Sequence, residues 1–240
     1  MKKIHIITPV KDSLETTIQT IESIMASDIA CPFEYTVYND FSSDENSAKL
    51  AALSQEKGFN LLNLSDLTQH PSPNYLLVLQ TAQQRALSEN AHLIIIESDV
   101  TVQRDTIQTL YQLAIANDQL PVGMVAAVTV DAAGEVNFPY LFAKKYKHEA
   151  VKTNKRLSFC CTLLTNAFLS KFDFRHLNPD KNWYDVTISH QSVKLGFANY
   201  LLMNTPVLHS PHSSRPWKLL KYTNPVKYYW LKYTKKLDKI

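Results

Sequence analysis

Glycine is scarce in this chain, with four in 240 residues. None of them builds G-x-G-x-x-G, G-x-x-x-x-G-K-[ST] or G-x-S-x-G, so a dinucleotide-binding Rossmann enzyme, a P-loop enzyme and an α/β-hydrolase all lose their fingerprints. Cysteine is scarce too. Cys31, Cys160 and Cys161 are odd in number, two are adjacent, and no C-x-x-C occurs. That argues against a disulfide scaffold or a zinc site and fits a reducing cytoplasm. No apolar run reaches the ~18–20 residues that a membrane-spanning helix needs. The opening MKKIHIITPVKDS has two lysines but only a short apolar run, broken by Pro9, Lys11 and Asp12. It reads as a first strand and not as a secretory signal, so a cytoplasmic location is expected.

What is present suits one large folded domain. The apolar fraction of 45% supplies a core, and charged residues at 20% do not suggest disorder. The net charge of +3 is unevenly spread. Residues 217–240 hold seven lysines and one aspartate, a local charge of +6, which leaves −3 on the rest of the chain. Residues 1–216 are therefore read as the main domain and 217–240 as a basic, aromatic extension.

Strand and helix signals alternate through the first half. Ile4-His5-Ile6-Ile7, Tyr35-Thr36-Val37-Tyr38, Leu61 to Leu64 and His92 to Ile96 read as strands. Between them run helical stripes. One is Leu14, Ile18, Ile21 and Met25 behind a Ser13 N-cap, and another is Tyr75, Val78, Leu79, Ala82 and Ala86. Ile107, Leu110, Tyr111 and Ala114 continue the series. A βαβαβαβα order implies an α/β fold with a mostly parallel central sheet and helices on both faces. Farther on, a strand is expected over Met124 to Val130, a hairpin turn at Asp131–Gly134, loop over 135–156, and a helix from Asp185 to Leu195 ended by Gly196.

Ligands of such sheets sit outside the carboxyl ends of the strands. The residues to weigh are therefore Thr8-Pro9-Val10, Asn39-Asp40 and Glu97-Ser98-Asp99. In an extended segment Glu97 and Asp99 point to one side, where two acids can hold a divalent ion that in turn holds phosphate. The competing role for Asp99 is to cap the next helix. Asn39-Asp40 reads either as a nucleoside contact or as an Asx turn. Asp185 follows Trp183 and Tyr184 and is a general-base candidate or an N-cap. In "LHSPHSSRPWK", His209 and His212 are candidate metal ligands and Arg215 a candidate partner for a diphosphate.

Taken together, "IITPVKDS", "VYNDFSSDEN", "IIIESDV", "CCTLLTNAFLSKFDF", "NWYDVTISHQSVKLGF" and "VLHS" occur in an order and spacing that resembles a family 2 glycosyltransferase with the GT-A fold, over roughly residues 3–212. The resemblance implies an inverting, metal-dependent hexosyltransferase. A nucleotide-diphosphate sugar, UDP-sugar favoured, would be the donor, and a hydroxyl of a glycan or lipid-linked molecule the acceptor, in surface polysaccharide or lipopolysaccharide biosynthesis. It implies that Thr8, Pro9 and Val10 line the nucleotide pocket. Asp40 matches the second acid of the family's Asp-Asp-x-Ser loop, with Asn39 in place of the first. Glu97-Ser98-Asp99 matches the Asp-x-Asp motif. Asp99 then holds Mg²⁺ or Mn²⁺, and Glu97, one methylene longer than the usual Asp, faces the ribose or sugar. Tyr184-Asp185 stands where the family has Glu-Asp, so Asp185 is the implied general base. His209 is the implied late ligand of the metal or diphosphate.

Two rivals remain at this level. One is a sugar-phosphate nucleotidyltransferase, against which the lack of a glycine-rich N-terminal loop weighs. The other is a degenerate GT-A domain that binds a sugar nucleotide or a partner without turnover. For the extension two roles compete. It packs its aromatics on the body, or it makes a peripheral contact with an anionic membrane, on the inner face for a cytoplasmic protein. Nucleic acid, for which no motif appears, is not expected as a partner.

Overall fold

The computed structural model describes residues 2–116, 120–181, 183–210, 220 and 224–235. The chain runs β1 (Ile4–Val10), α1 (Leu14–Met25), β2 (Phe33–Asn39), α2 (Asp44–Lys57), β3 (Asn60–Asn63), α3 (Tyr75–Ser88), β4 (His92–Ile96), β5 (Val100–Thr101) and α4 (Thr106–Ile115). It continues through β6 (Val122–Val130), β7 (Ala150–Lys152), β8 (Cys161–Leu164), α5 (Asn166–Leu169), α6 (Tyr184–Lys194), β9 (Ala198–His209) and α7 (Pro225–Thr234).

The strands form one nine-stranded sheet in the order β3-β2-β1-β4-β8-β6-β9-β5, with β7 pairing to β9. The first half is parallel, as the βα alternation requires: β3, β2, β1 and β4 all run the same way. The second half is mixed. β8 is antiparallel to both β4 and β6, while β6 and β9 are parallel. Helices cover both faces. Ile94 and Ile96 of β4 belong to one core with Ile21, Leu50 and Leu110 of α1, α2 and α4. Leu93 and Ile95 belong to the other, with Leu79, Phe168 and Ile188 of α3, α5 and α6. Side-chain alternation along a strand sends successive residues of β4 into opposite layers, which is why a four-residue apolar run suits a strand buried on both sides.

Most sequence expectations hold with small shifts of boundary. Ser13 does precede α1, but it takes a left-handed conformation with φ of 51° and its side chain caps nothing. The turn at Asp131–Gly134 forms as expected. Asp131 Oδ1 accepts from the Ala133 and Glu135 amides at 3.0 Å, and Gly134 has φ of 80°. The segment 135–156, expected as loop, contains β7, a short strand whose pairing with β9 no local pattern announces. β9 runs for twelve residues, from Ala198 to His209.

Two residues of the frame carry predictions. A Cβ on Gly123 of β6 would lie 2.7 Å from Phe197 Cβ and collide with Ser192 Oγ. Ser192 is held in place by its bond to Asn199 Oδ1 at 2.6 Å. Gly123→Ala is therefore expected to destabilise the fold by about 1–3 kcal/mol through overpacking, read as a lowered urea midpoint. His92 is buried at the start of β4, and its Nδ1 accepts from the Asn166 amide at 3.2 Å. Burial pulls its pKa from 6.5 down to about 4. The neutral ring thus favours the fold fully above pH 6.5, and that contribution is lost as pH falls from 6.5 towards 4. Between pH 7 and pH 5 the loss from this group is about 2 kcal/mol. His92→Gln is expected to flatten that slope in denaturation curves taken at the two pH values.

Candidate active site

The carboxyl ends of β1, β2 and β4 lie on one edge of the sheet, and the loops that follow them are tied together. Lys11 Nζ donates to the Phe41 carbonyl. The Asp12 amide donates to Ser42 Oγ at 2.8 Å, and the Ser43 amide donates to Asp12 Oδ1 at 2.9 Å. Asp12 and Phe41 have φ of 53° and 57°, a left-handed conformation that costs a non-glycine residue energy and that concentrates where a loop must be aimed. A recess of about 300 Å³ opens on this edge beside Asn39, Ser47 and Asn63. The clustered carboxylates described below do not line it.

At the end of β4 the role of Asp99 as a helix cap fails. The cap position of α4 is Asp105, and between the two lies β5. β5 pairs antiparallel with the end of β9, placing Val100 opposite His209. The Ser210 amide donates to the Asp99 carbonyl at 2.9 Å, closing the ladder. This pairing carries His209, 110 positions later in the chain, to the Asp99 carboxylate: Nε2 lies 3.6 Å from Oδ2. The other ring nitrogen, Nδ1, is 2.8 Å from the Phe138 carbonyl, which can only accept, so Nδ1 bears the proton. Burial alone would lower the His209 pKa, but Asp99, Glu97 and that carbonyl outweigh it and raise it.

Glu97 stands on the same segment. Its amide donates to the Cys160 carbonyl at 3.1 Å, and its Oε2 accepts from the Cys160 thiol at 3.4 Å. Reaching the thiol is what the extra methylene of Glu over Asp accomplishes. Burial pushes the Glu97 carboxyl from 4.5 up to about 7, and Asp99 adds to the rise. Burial likewise keeps Cys160 a thiol. Ligand atoms of Glu97, Cys160 and His209 lie within 4.8 Å of one another. With the Asp99 carboxylate 3.6 Å from the His209 ring, the carboxylate and imidazole donors here suit a hard divalent cation, whereas Cys160, as a thiol, is no ligand for one. A ligating histidine characteristically gives its other N–H to a backbone carbonyl, as His209 does. His5, Glu34 and Glu89 form a second such group, at the opposite end of the strands. Lys3 already engages both of its carboxylates, at 2.8 and 2.5 Å, and Arg85 also pairs with Glu34, so that group is an ion-pair network.

Asp185 is the second residue of α6, whose cap position is Trp183 and not Asp185, and its Oδ2 is 4.0 Å from Arg156 Nη1. The guanidinium is itself stacked 4.9 Å from the Trp183 ring and 5.5 Å from the Phe138 ring. Asp185 adds a small electrostatic push to the raised Glu97 pKa. Sequence reasoning missed Arg156, which hides in the lysine-rich stretch, and Tyr75, which reads as one more member of a core stripe. Tyr75 stacks on Tyr184 at 6.4 Å between centroids. Its buried hydroxyl has no hydrogen-bond partner, and burial, then Glu97 and Asp185, raise its pKa well above 10.0.

The remaining expected residues serve this site from behind. Asp40 accepts three hydrogen bonds: Ser72 Oγ at 2.7 Å, the Asn74 amide at 2.9 Å and Asn74 Nδ2 at 2.8 Å. It thereby fixes the entry to α3, whose first residue is Tyr75. Asn39 is buried and braces the loop through Ser47 and Asn63, both at 2.9 Å. Thr8 is buried with its hydroxyl bonded to Tyr35 at 3.0 Å. Val10 and Ser98 are buried as well, and Pro9 is half-buried. Arg215 and His212 lie outside the described residues.

No protein-family model matches the sequence, and no curated protein matches it. Solved structures do. S. aureus TarS 1–349 in complex with UDP-GlcNAc aligns with a TM-score of 0.67 at 16% identity, over 96% of this chain and 64% of that one. Mannosyltransferase PcManGT from Pyrobaculum calidifontis, in complex with GDP-Man and Mn²⁺, aligns at 0.59 and 14% identity, over 95% and 63%. A mycobacterial protein aligns at 0.59 and 15% identity, over 92% and 74%. The chain spans less than two thirds of the TarS 1–349 and PcManGT chains. TarS and PcManGT are glycosyltransferases of the GT-A type. This chain has the GT-A fold, and its clustered acids stand at the carboxyl edge of that fold's parallel strands.

Proposed function

We propose that the protein transfers a sugar from a nucleotide-diphosphate donor, a UDP-sugar by preference, to a hydroxyl of a glycan or lipid-linked acceptor with inversion at the anomeric carbon. Surface polysaccharide or lipopolysaccharide assembly is the process this chemistry suits. The observation that carries the reading is the convergence of Asp99 and His209 with Glu97, Asp185 and Tyr75 on the edge where a sheet of this topology presents its ligands.

Each residue has a task. Asp185 accepts the proton of the attacking hydroxyl, and Arg156, itself stacked on the Trp183 ring, lies 4.0 Å from it. The Tyr75 hydroxyl, buried and without a partner, donates to a substrate oxygen. Glu97 faces the ribose or sugar while tethered to Cys160. Asp40 sets the start of α3 through Ser72 and Asn74, so a base or ribose contact there is shared with those bonds. Thr8, Pro9 and Val10 shape the pocket edge mainly through their backbone, and Arg215 pairs with the diphosphate. Asp99 and His209 would hold Mg²⁺ or Mn²⁺, which when bound neutralises the charge that develops on the leaving diphosphate. A single base on the acceptor side makes direct displacement the simplest course. Residues 1–216 form the transferase domain in this reading and 217–240 an extension.

A screen of UDP- and GDP-sugars by thermal shift, with and without Mn²⁺, tests it. At ~100 times the dissociation constant a donor adds about 2.7 kcal/mol to native stability. A cation-dependent shift followed by transfer with inverted anomeric configuration supports the proposal. No shift with any sugar nucleotide overturns it, and a shift without turnover on any acceptor leaves a binding domain.

A further inference from the structure

The helix α7 presents its aromatic side outwards. In PVKYYWLKYT, Val226, Tyr229, Trp230 and Tyr233 recur at i, i+3, i+4 and i+7, which is one helix face. Those four residues are 81%, 47%, 59% and 73% exposed, while Tyr228, on the opposite side, is 4% exposed. A helix that serves only its own fold does the reverse and hides its widest apolar stripe. Tyr229 and Tyr233 stack on each other, 6.5 Å between centroids, forming a continuous surface with Trp230 between them in the sequence. The helix carries no acidic residue. Lys227 and Lys235 are exposed at its ends, and the 217–240 segment as a whole bears seven lysines against one aspartate.

We propose that this face docks on the surface of an anionic lipid bilayer, with α7 lying in the plane of the headgroups. Three features select that occupant. α7 itself is ten residues long, too short to cross a bilayer, so its contact is superficial. Tyr and Trp join an apolar body to a polar tip and concentrate at the headgroup level, where one end is apolar and the other wet. Lysines flanking such a stripe are attracted to anionic headgroups, each worth roughly fivefold in binding near the surface. A second copy of the chain fits poorly, since two copies of α7, each bearing lysines and no acid, would set like charges against each other. The inference does not rest on the transferase reading, because α7 contributes none of the residues assigned to that site.

The test is co-sedimentation of the full chain with phosphatidylcholine vesicles, with and without about a third phosphatidylglycerol. Selective retention on the anionic vesicles, weakened by salt, is expected. Trp230→Ser with Tyr233→Ser should lower the partition coefficient at least tenfold, and Lys227→Gln with Lys235→Gln some twentyfold at low salt. All four side chains are exposed, so far-UV circular dichroism and Tm should stay unchanged and serve as the folding control. No retention, or equal retention on neutral vesicles, overturns the proposal. So does concentration-dependent self-association that Trp230→Ser abolishes, which would assign the face to a second copy. An RNA oligonucleotide that binds and displaces the protein from vesicles through the same residues would likewise assign it elsewhere.

Discussion

Asp185→Asn is expected to lower the turnover of glycosyl transfer about 10²–10⁴-fold, the usual worth of a positioned general base. The amide keeps the shape of the carboxylate and can still accept a hydrogen bond, but it cannot take the proton that the acceptor hydroxyl must lose. The fold should survive the change. Arg156 lies 4.0 Å from Asp185 and is held independently by the Trp183 and Phe138 rings, so it keeps its place when the opposite charge goes. The Asp185 carbonyl, which accepts from Ser189 Oγ at 2.7 Å inside α6, is untouched. A stability change of about 1 kcal/mol or less is expected for so long and partly exposed an ion pair. Donor-induced thermal shifts should match those of the native chain, because the proton acceptor acts on the acceptor substrate. The effect therefore belongs in kcat and not in donor affinity. A folded Asp185→Asn protein with undiminished turnover would remove Asp185 from the mechanism.

The sheet edge on which Asp185 converges was legible in the sequence, because strand and helix periodicities are local. Leu93 to Ile96, four apolar residues closed by Glu97-Ser98-Asp99, reads as a central strand, and it is one. Partnerships across the chain are another matter. Asp40 meets Ser72 and Asn74 across more than 30 positions, and those residues look like an ordinary loop until α3 is placed against β2. Tyr75 obeys the helical stripe of α3, so periodicity assigns it to the core. Only the third dimension brings it within electrostatic reach of Glu97 and Asp185. Cys160 could be read for redox compartment but not for its contact with Glu97, since that contact depends on β8 running antiparallel beside β4. The nearness of His209 to Asp99 was implied by a family pattern. Its physical cause, the β5–β9 ladder, rests on a two-residue strand that no pattern reveals.

That ladder also frames the last prediction. Asp99→Asn should abolish the Mn²⁺-dependent part of the donor shift and lower transfer about 10²–10³-fold, the scale of several kcal/mol of charge stabilisation at a leaving group. The substitution removes one negative charge and leaves the backbone intact. The Asp99 carbonyl still accepts from Ser210, and Val100 still pairs with His209, so the edge keeps its shape. Two consequences separate loss of a cation ligand from loss of structure. Without Asp99 the His209 ring loses a main partner of its Nε2 and becomes less basic, and the Glu97 carboxyl loses a like-charged neighbour and becomes more acidic. Both shifts can be followed by NMR in metal-free protein, where no donor is involved. The Glu97→Asp variant supplies the contrast. It restores the shorter acid of the family pattern but gives up the reach to Cys160, and it keeps both the Asp99 carboxylate and His209. Cation-dependent donor binding should therefore persist in Glu97→Asp and vanish in Asp99→Asn. If the two variants respond to Mn²⁺ alike, the cation is not held at Asp99.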